Sequence, residues 1–222
     1  MPSLISRFAN AYDPKSLSNR MRQKRLERFE AMVANLAKPV SILDVGGTTR
    51  FWELRGWAER ADIAITLVNL TAEPQRHENI RSAAGDATHL SEFGDASFDF
   101  VFSNSVIEHL GTIERQKAMA DEVRRVGRGY WVQTPNYWFP VEPHFHFPGW
   151  QWLPVGVRAA ILQRRACGWN GRCPNPIDAL RVVSDVRLMT RAEVAVLFPD
   201  GQVMREGFFG LVKSWVAWRS AQ

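Results

Sequence analysis

The sequence predicts an α/β protein with a largely parallel sheet and helices on both of its faces. Short β-branched runs alternate with segments of helical periodicity, which is the pattern of strand–helix–strand units. One early run ends in the pair Gly46-Gly47, a turn typical of the carboxyl end of a strand in such sheets. Two more strand-like runs follow a long Pro- and Trp-rich stretch. Because the sheet needs them, residues 1–222 are expected to form one domain.

The first predicted element is an amphipathic helix with a basic, solvated outer face. It lies within an N-terminal helical segment that is predicted to span residues 1–38. The pair Lys38-Pro39 then breaks the chain before a short buried strand, Val40–Val45. The apolar positions at helical spacing are Leu26, Phe29, Met32, Val33 and Leu36.

Four further β-branched runs predict the rest of the parallel sheet. Thr112 is a suitable N-cap for a helix that runs to Val126 and connects the fourth strand to the fifth. The four runs are 62–70, 80–87, 97–104 and 129–134.

The alternation stops after the fifth strand. Residues 135–189 are rich in Pro, Trp and Gly, and they are expected to form an insertion that covers a substrate. Thr190 then caps a last helix, and two runs at 201–209 and 211–219 predict a closing pair of strands.

The composition limits the class of protein and its surroundings. A hydrophobic fraction of 45% excludes a largely disordered chain, and no apolar run reaches the roughly 20 residues that span a bilayer. The opening residues lack the apolar core of a secretory signal, so a cytoplasmic location is expected. Cys167 and Cys173 are expected to be reduced thiols. The net charge of +5 is modest, which argues against nucleic acid as a partner. The sequence leaves the oligomeric state open.

The turn after the first strand carries the first functional signal. Gly46 and Gly47 let the backbone approach a ligand closely, because a side chain would clash there. Thr48 and Arg50 stand where a dinucleotide-binding turn would have further glycines. Asp44 precedes the turn, and an acid at this place suits a ligand with a cationic ammonium group.

Three segments in this order, "ILDVGG", "GDATHL" and "SFDFVFSNSVIEHL", resemble class I S-adenosylmethionine-dependent methyltransferases of type 11. The resemblance covers roughly residues 41–136 well and the closing strands loosely. It implies a Rossmann-like, seven-stranded, mostly parallel sheet with an antiparallel last strand and with the insertion after strand five. It also implies S-adenosyl-L-methionine as the cofactor.

The resemblance implies a set of cofactor-binding residues at successive strand ends. The glycine turn would hold the methionine part, and Asp86 with Ala87 would read the adenine edge. Asn69 stands where the family usually has an acid that binds the ribose hydroxyls. The implied residues are Asp44, Gly46, Gly47, Thr48, Asn69, Leu70, Asp86, Ala87 and Ser103.

The pair Glu108-His109 and the T-P-N segment at 134–136 are similar to two families of O-methyltransferases. These are the small-RNA 3′-terminal 2′-O-methyltransferases and the ubiquinone-pathway O-methyltransferases, which use an E-x-x-E-H segment for a divalent metal. Here Ser105 replaces the first Glu. The resemblance implies a possible Mg²⁺ or Mn²⁺ site, and a buried core histidine is the alternative for His109.

The stretch "FPVEPHFHFP" supplies two further histidines. His144 is a candidate general base for activating a hydroxyl, or a third metal ligand beside Glu108 and His109. By strand-like alternation, His146 is expected to face the protein in a packing role. Glu142 is able to orient either histidine. The candidate catalytic residues are therefore His144 and Glu108.

The aromatic side chains of the insertion suit a pocket or lid that excludes water and stacks on sugar rings, although simple packing explains them too. They are Phe139, Phe145, Phe147, Trp150 and Trp152. The leading hypothesis is an O-methyltransferase that acts on a hydroxyl of a small acceptor, a saccharide or glycoside. The alternatives are an RNA ribose 2′-O-methyltransferase and a non-catalytic protein that binds the cofactor or a sugar.

Overall fold

The computed structural model describes residues 16–221, and its centre is a seven-stranded sheet. The strands are β1 (Val40–Val45), β2 (Ile63–Asn69), β3 (Ile80–Ala84), β4 (Phe98–Asn104), β5 (Gly127–Pro135), β6 (Val141–Glu142), β7 (Phe147–Pro148), β8 (Gln202–Phe208) and β9 (Leu211–Arg219). Their order in the sheet is β3-β2-β1-β4-β5-β9-β8, and β6 and β7 form a separate hairpin. The first five strands in this order, β3, β2, β1, β4 and β5, are parallel to one another. Strand β9 is antiparallel to both of its neighbours, β5 and β8. The fold class that the sequence predicts is therefore confirmed.

Helices cover both faces of this sheet. They are α1 (Leu17–Val33), α2 (Thr49–Glu53), α3 (Ile113–Val126), α4 (Val155–Arg164), α5 (Pro176–Ser184) and α6 (Arg191–Leu197), with 3-10 turns at Ile107–Leu110 and Trp150–Trp152. The side chains of Thr112 and Thr190 accept hydrogen bonds from the first turns of α3 and α6, as the sequence predicts. The part of the predicted 1–38 segment that precedes residue 16 lies outside the described residues.

The burial of β1 explains why four of its six residues, Val40, Ile42, Leu43 and Val45, are apolar. Its neighbours on the two sides are β2 and β4, and helices cover both faces, so alternate polar residues would be buried too. The strand order reverses between β1 and β4. In open α/β sheets this is the place where ligands bind, beyond the carboxyl ends of the strands.

Two apolar layers flank the sheet. The layer under α1 contains Leu26, Phe29, Val33, Trp52 and Trp57 among its buried residues. The layer under α3 and α6 contains Met119, Val123, Val126, Val194 and Leu197. The predicted apolar face of the N-terminal helix thus packs on the sheet, except that Met32 and Leu36 are only partly buried.

The insertion at 135–189 builds a small core of its own. Its buried residues are Phe145, Trp150, Ala159, Leu162, Cys167, Ala179 and Val183. Neither α5 nor the short helix α2 was predicted from the sequence. The third strand ends at Ala84 rather than at residue 87, because Asp86 pairs with His89 in a tight turn just after it. Among the residues described, no helix has the length and apolarity that crossing a membrane requires.

Candidate active site

The carboxylate of Asp44 lies buried at the end of β1. One oxygen accepts a hydrogen bond from the Trp52 indole N–H at 2.8 Å, and Oδ1 is buried without a partner. Burial raises the pKa of Asp44 to about 7, and the charge of Glu73 adds to this, although the Trp52 bond acts in the opposite direction. An unsatisfied buried oxygen favours a ligand that donates a hydrogen bond.

The turn after Asp44 requires its two glycines. A Cβ at Gly47 would overlap the Asp44 carboxylate, and a Cβ at Gly46 would lie 2.5 Å from the Val106 side chain. Gly46 also has a positive φ of 78°, which most other residues avoid. The hydroxyl of Thr48 accepts the Phe51 N–H as the cap of α2, so this side chain shapes the turn. The open backbone and the unpaired Asp44 oxygen fit a cofactor with an amino-acid end.

Asn69, at the end of β2, holds the glycine turn in place. Its side-chain amide donates to the Gly47 carbonyl oxygen at 2.8 Å. Glu73, four residues further on, accepts hydrogen bonds from the Thr49 N–H and hydroxyl at 3.0 and 2.8 Å. Sequence reasoning missed Glu73, although an acid shortly after β2 was a readable signal. Leu70 is 82% exposed and has room for a ligand beside it.

The remaining predicted cofactor residues differ in how their side chains are used. Asp86 Oδ1 accepts hydrogen bonds from the Thr88 N–H and hydroxyl, and these bonds lower the pKa of Asp86. Ala87 follows it in the same turn and is partly buried. Ser103 is buried and donates to the Val45 carbonyl oxygen at 3.0 Å, so its hydroxyl links β4 to β1. Only the backbone of Ser103 is left for a ligand.

A second group of polar side chains lies beyond β4 and β5. One ligand atom from each of Glu108, His109 and His144 lies within 4.8 Å of the other two. Glu108 is fully buried; its Oε2 accepts from the Thr134 hydroxyl at 3.2 Å, and its Oε1 has no partner. His144 Nε2 lies 4.0 Å from that Oε1. The structure therefore brings together the three residues that sequence analysis grouped.

Glu142 fixes the orientation of His144. Its carboxylate lies 2.6 Å from His144 Nδ1 and also accepts the backbone N–H groups of His144 and Phe145. An ionised Glu142 accepts the proton on Nδ1 and leaves the lone pair of Nε2 pointing toward Glu108. That lone pair is what either a general base or a metal ligand requires.

Burial controls the charges in this group. It raises the pKa of Glu108 to about 7 and lowers the pKa of His109 to about 4. Burial also acts to lower the pKa of His144, but the hydrogen bond and the charge of Glu142 outweigh it and raise this pKa above its ordinary value. His109 is thus neutral at physiological pH and able to donate a lone pair.

The donor set fits a first-row divalent ion. Two imidazole nitrogens and one carboxylate oxygen suit Mn²⁺, Fe²⁺ or Zn²⁺ better than Mg²⁺, and the partnerless Glu108 oxygen is a vacant donor. Ser105 brings no carboxylate to the set, and its hydroxyl donates to Gln133 at 2.8 Å. The protein would supply three ligands, which leaves positions for acceptor oxygens.

His144 also lines a cavity of about 280 Å³. The other lining residues are Met21, Arg22, Arg25, Ser105, Gln133, Pro135, Asn136, Phe139, Val141, Pro143, His146, Trp169, Phe208, Lys213 and Ser214. The basic helix α1, whose role the sequence left open, thus forms one wall. The sequence did not identify this wall or Lys213 as part of a cavity. Alternation along a strand shows which side chains leave the core, but it does not show whether they face a cavity or bulk solvent.

The predicted orientation of His146, opposite to that of His144, was wrong. Residues 143–146 form the turn between β6 and β7, and His146 has a left-handed backbone with φ of 49°. Strand alternation therefore does not apply, and both histidines line the same cavity. The His146 ring lies 4.9 Å from the Trp169 ring, centroid to centroid.

The aromatic residues of the insertion divide into two groups. Phe145 and Trp150 stack on each other at 4.4 Å inside the core of the insertion, and Phe147 packs beside them. Trp152 is 47% exposed, and Phe139 is the member of the predicted set that lines the cavity. Most of the five predicted aromatic side chains therefore pack within the insertion and do not line the cavity.

Known proteins resemble this chain in part of its sequence and in its fold. The model of the Methyltransf_11 family, described as a methyltransferase domain, matches residues 44–129. An uncharacterised protein from two strains of Mycobacterium tuberculosis is 43% identical over 51 residues, which are 23% of this chain. The matched segment covers only 17% of that relative's length.

Solved structures share the fold at low sequence identity. A methyltransferase from Methanosarcina mazei gives a TM-score of 0.52 at 14% identity, over 85% of this chain and 95% of its own. The 1,6-didemethyltoxoflavin N1-methyltransferase of Burkholderia thailandensis, solved with S-adenosylhomocysteine, gives 0.53 at 16% identity, over 97% and 85%. The CurJ carbon methyltransferase gives 0.61 at 9% identity, over 96% and 57%.

The fold is shared with S-adenosylmethionine-dependent methyltransferases of known structure, and the glycine turn lies within the segment that matches the Methyltransf_11 model. Residues 44–129 are thus similar to a methyltransferase domain of the Methyltransf_11 type. The neighbours in structure include both nitrogen and carbon methyltransferases. The atom that receives the methyl group must therefore be inferred from the site.

Proposed function

We propose that the protein transfers a methyl group from S-adenosylmethionine to a hydroxyl of a small acceptor, a saccharide or glycoside. The observation that carries this proposal is the cluster of Glu108, His109 and His144 beside the cavity. A hydroxyl is a weak nucleophile until its proton is removed or a metal lowers its pKa, and this cluster offers both means. A neutral amine, by contrast, attacks through its own lone pair without prior loss of a proton.

The cofactor is assigned to the ends of β1, β2, β3 and β4. Asp44 and the Gly46-Gly47 turn would hold its methionine part, with Asn69 shaping the turn. Asp86 and Ala87 would contact the adenine. The cofactor supplies an electrophilic methyl group on a sulfonium, and the protein's task is to place the acceptor oxygen in line with it.

The acceptor would lie in the cavity between α1 and the insertion. Its volume of about 280 Å³ suits one sugar unit rather than a macromolecule. Phe139, Trp169 and Phe208 offer rings that stack on the apolar face of a sugar. His144 Nε2 takes the hydroxyl proton as the oxygen–methyl bond forms, and Glu142 stabilises the resulting imidazolium. If a divalent ion is bound, Glu108, His109 and His144 would hold it, and it would acidify the bound hydroxyl.

An acceptor array tests the proposed function. Methyl-labelled cofactor is incubated with the protein and with glycosides, phenols, RNA oligonucleotides, amines and carbon acids. Label in an alkali-stable methyl ether of a glycoside is the expected result. Label in an amine, a carbon acid or RNA would contradict the proposal, and cofactor binding without any transfer would favour a non-catalytic protein.

A further inference from the structure

The cavity beside His144 has an unbalanced charge. Its described lining includes the cationic side chains of Arg22, Arg25 and Lys213, together with two histidines, and contains no carboxylate. Arg25 is neutralised, because the Glu206 carboxylate accepts hydrogen bonds from its Nε and Nη2 at 2.7 and 2.6 Å. Lys213 remains as a cation on the wall of the cavity that β9 forms.

Lys213 is partly buried, and among the described residues no carboxylate lies within salt-bridge distance of its ammonium group. Its Nζ contacts the Met21 sulfur at 3.6 Å and lies 6.0 Å from the centre of the Phe208 ring. Within residues 16–221 it makes no salt bridge. Burial disfavours its charge most, and the guanidinium groups of Arg25 and Arg22 act in the same direction, whereas the Glu206 carboxylate acts in the opposite direction. A partly desolvated cation in this position gains from an anion that enters the cavity.

We propose that the methyl acceptor is an anion whose carboxylate or phosphate group binds Lys213. This inference rests on the proposed function and adds the substrate class. His144 and Lys213 lie on different elements that face the same cavity, the hairpin turn and β9. One small molecule therefore spans both, with its hydroxyl at His144 and its anionic group at Lys213.

The lining between these ends suits the body of a sugar acid or sugar phosphate. Phe139, Trp169 and Phe208 supply apolar ring faces, and Gln133 and Ser105 supply polar groups near His144. A neutral glycoside would fill the same volume but would leave the Lys213 ammonium without a partner. Charge is thus the property by which the cavity selects its acceptor.

The test compares the binding of three probes that differ at one carbon. They are 4-nitrophenyl β-D-glucoside, 4-nitrophenyl β-D-glucuronide and 4-nitrophenyl 6-phospho-β-D-glucoside, titrated calorimetrically into the full chain with S-adenosylhomocysteine present. We expect an anionic probe to bind about 10- to 100-fold more tightly than the glucoside, the range for a charge-assisted hydrogen bond. The stronger of the two anionic probes distinguishes a carboxylate from a phosphate site.

Two variants assign the effect. Lys213→Met keeps the length and apolarity of the side chain and should reduce the preference to less than about threefold, because only the charge-assisted bond is lost. Lys117→Met removes an exposed lysine on α3 and should leave the preference unchanged. Unchanged thermal midpoints and S-adenosylhomocysteine affinity establish that both variants are folded.

Three results would overturn the anion site: no binding of either anionic probe, equal binding of neutral and anionic probes, or a preference that survives in Lys213→Met. These readouts do not depend on turnover. A Lys213-dependent preference without methyl transfer would uphold the anion site and reject the proposed function instead.

Discussion

His144 is held between two carboxylates, and this arrangement separates its role from that of His146. Glu142 accepts from Nδ1 at 2.6 Å, and Nε2 points toward Glu108 at 4.0 Å. We expect His144→Ala to lower turnover by about 10²- to 10⁴-fold with cofactor affinity unchanged, as for a lost general base. His146→Ala should instead raise the acceptor KM, because this ring lines the cavity without a carboxylate partner. Steady-state kinetics on both variants, with calorimetry of S-adenosylhomocysteine, makes the measurement; the opposite pattern would exchange the two roles.

The metal hypothesis is tested by removal and return of the ion. Exhaustive chelation should abolish turnover, and Mn²⁺ should restore it more fully than Mg²⁺ because two ligands are nitrogens. Glu108→Gln should remove the response to added ion while the Glu142–His144 pair stays in place. Full turnover after chelation would leave His144 as a simple base.

Asp44 gives the apo protein a pH-dependent stability. Its pKa is raised from 3.8 to about 7 in the fold, so between these values the folded state holds a proton that the unfolded state has lost. Stability therefore falls as pH rises through this interval. Relative to Asp44→Asn, the wild type should lose about 1–4 kcal/mol between pH 4 and pH 8 in chemical denaturation. Parallel stability curves for the two proteins would show that Asp44 ionises freely.

For single residues, the sequence predicted which residues lie at the candidate site better than it predicted the partners of their side chains. The glycine turn, Asp44 and the pairing of Glu142 with a histidine follow from local spacing. Glu73 was missed because it reaches Thr49 from a loop with no regular structure. His146 was misplaced because one left-handed residue reverses the direction of its side chain.

Helix α1 is tied to the sheet through a buried ion pair. Arg25 and Glu206 are 6% and 8% exposed, and Arg25 also donates to Asn104 and Gln133. We expect Arg25→Met to destabilise the protein by about 3–5 kcal/mol, because Glu206 would remain buried with an uncompensated charge. Arg28→Met, on the exposed side of the same helix, should change stability by less than about 0.5 kcal/mol.

A second substitution separates the charge from the packing. Adding Glu206→Gln to Arg25→Met should recover part of the lost stability, since no buried charge is then left unpaired. Chemical denaturation of the two single variants and the double variant gives the coupling energy. Additive losses would mean that the two side chains act independently.

Elements with a regular apolar period were predictable, and elements shaped by the insertion were not. Six strands are recognisable from the sequence because buried sheets favour β-branched and aromatic residues; they are β1, β2, β4, β5, β8 and β9. Helix α5 begins at Pro176 in a loop-like composition, so its apolar face becomes evident only when α4 packs against it. The hairpin β6–β7 has two residues in each strand, too few for a period to be recognised.

Under the proposed function, the described residues divide into a cofactor half and an acceptor half. All residues assigned to the cofactor come from the strand ends between β1 and β4, whereas the acceptor cavity needs α1, the insertion and β9. The core of the insertion contains no residue of the seven-stranded sheet. The insertion is therefore able to loosen without disturbing the cofactor site.

Leu162→Ala tests this division. Leu162 is fully buried in the core of the insertion, and its truncation should weaken that core by about 2–5 kcal/mol. The acceptor KM should rise, while S-adenosylhomocysteine affinity stays within about twofold because the sheet is untouched.

The thiol of Cys167 reports directly on opening of the insertion core in Leu162→Ala. Cys167 is 5% exposed in this core, so in a Cys173→Ser background its reaction with a thiol reagent should accelerate. Val123→Ala, in the layer under α3, should instead lower the global denaturation midpoint. Equal losses of cofactor and acceptor affinity in Leu162→Ala would mean that the two halves fold as one cooperative unit.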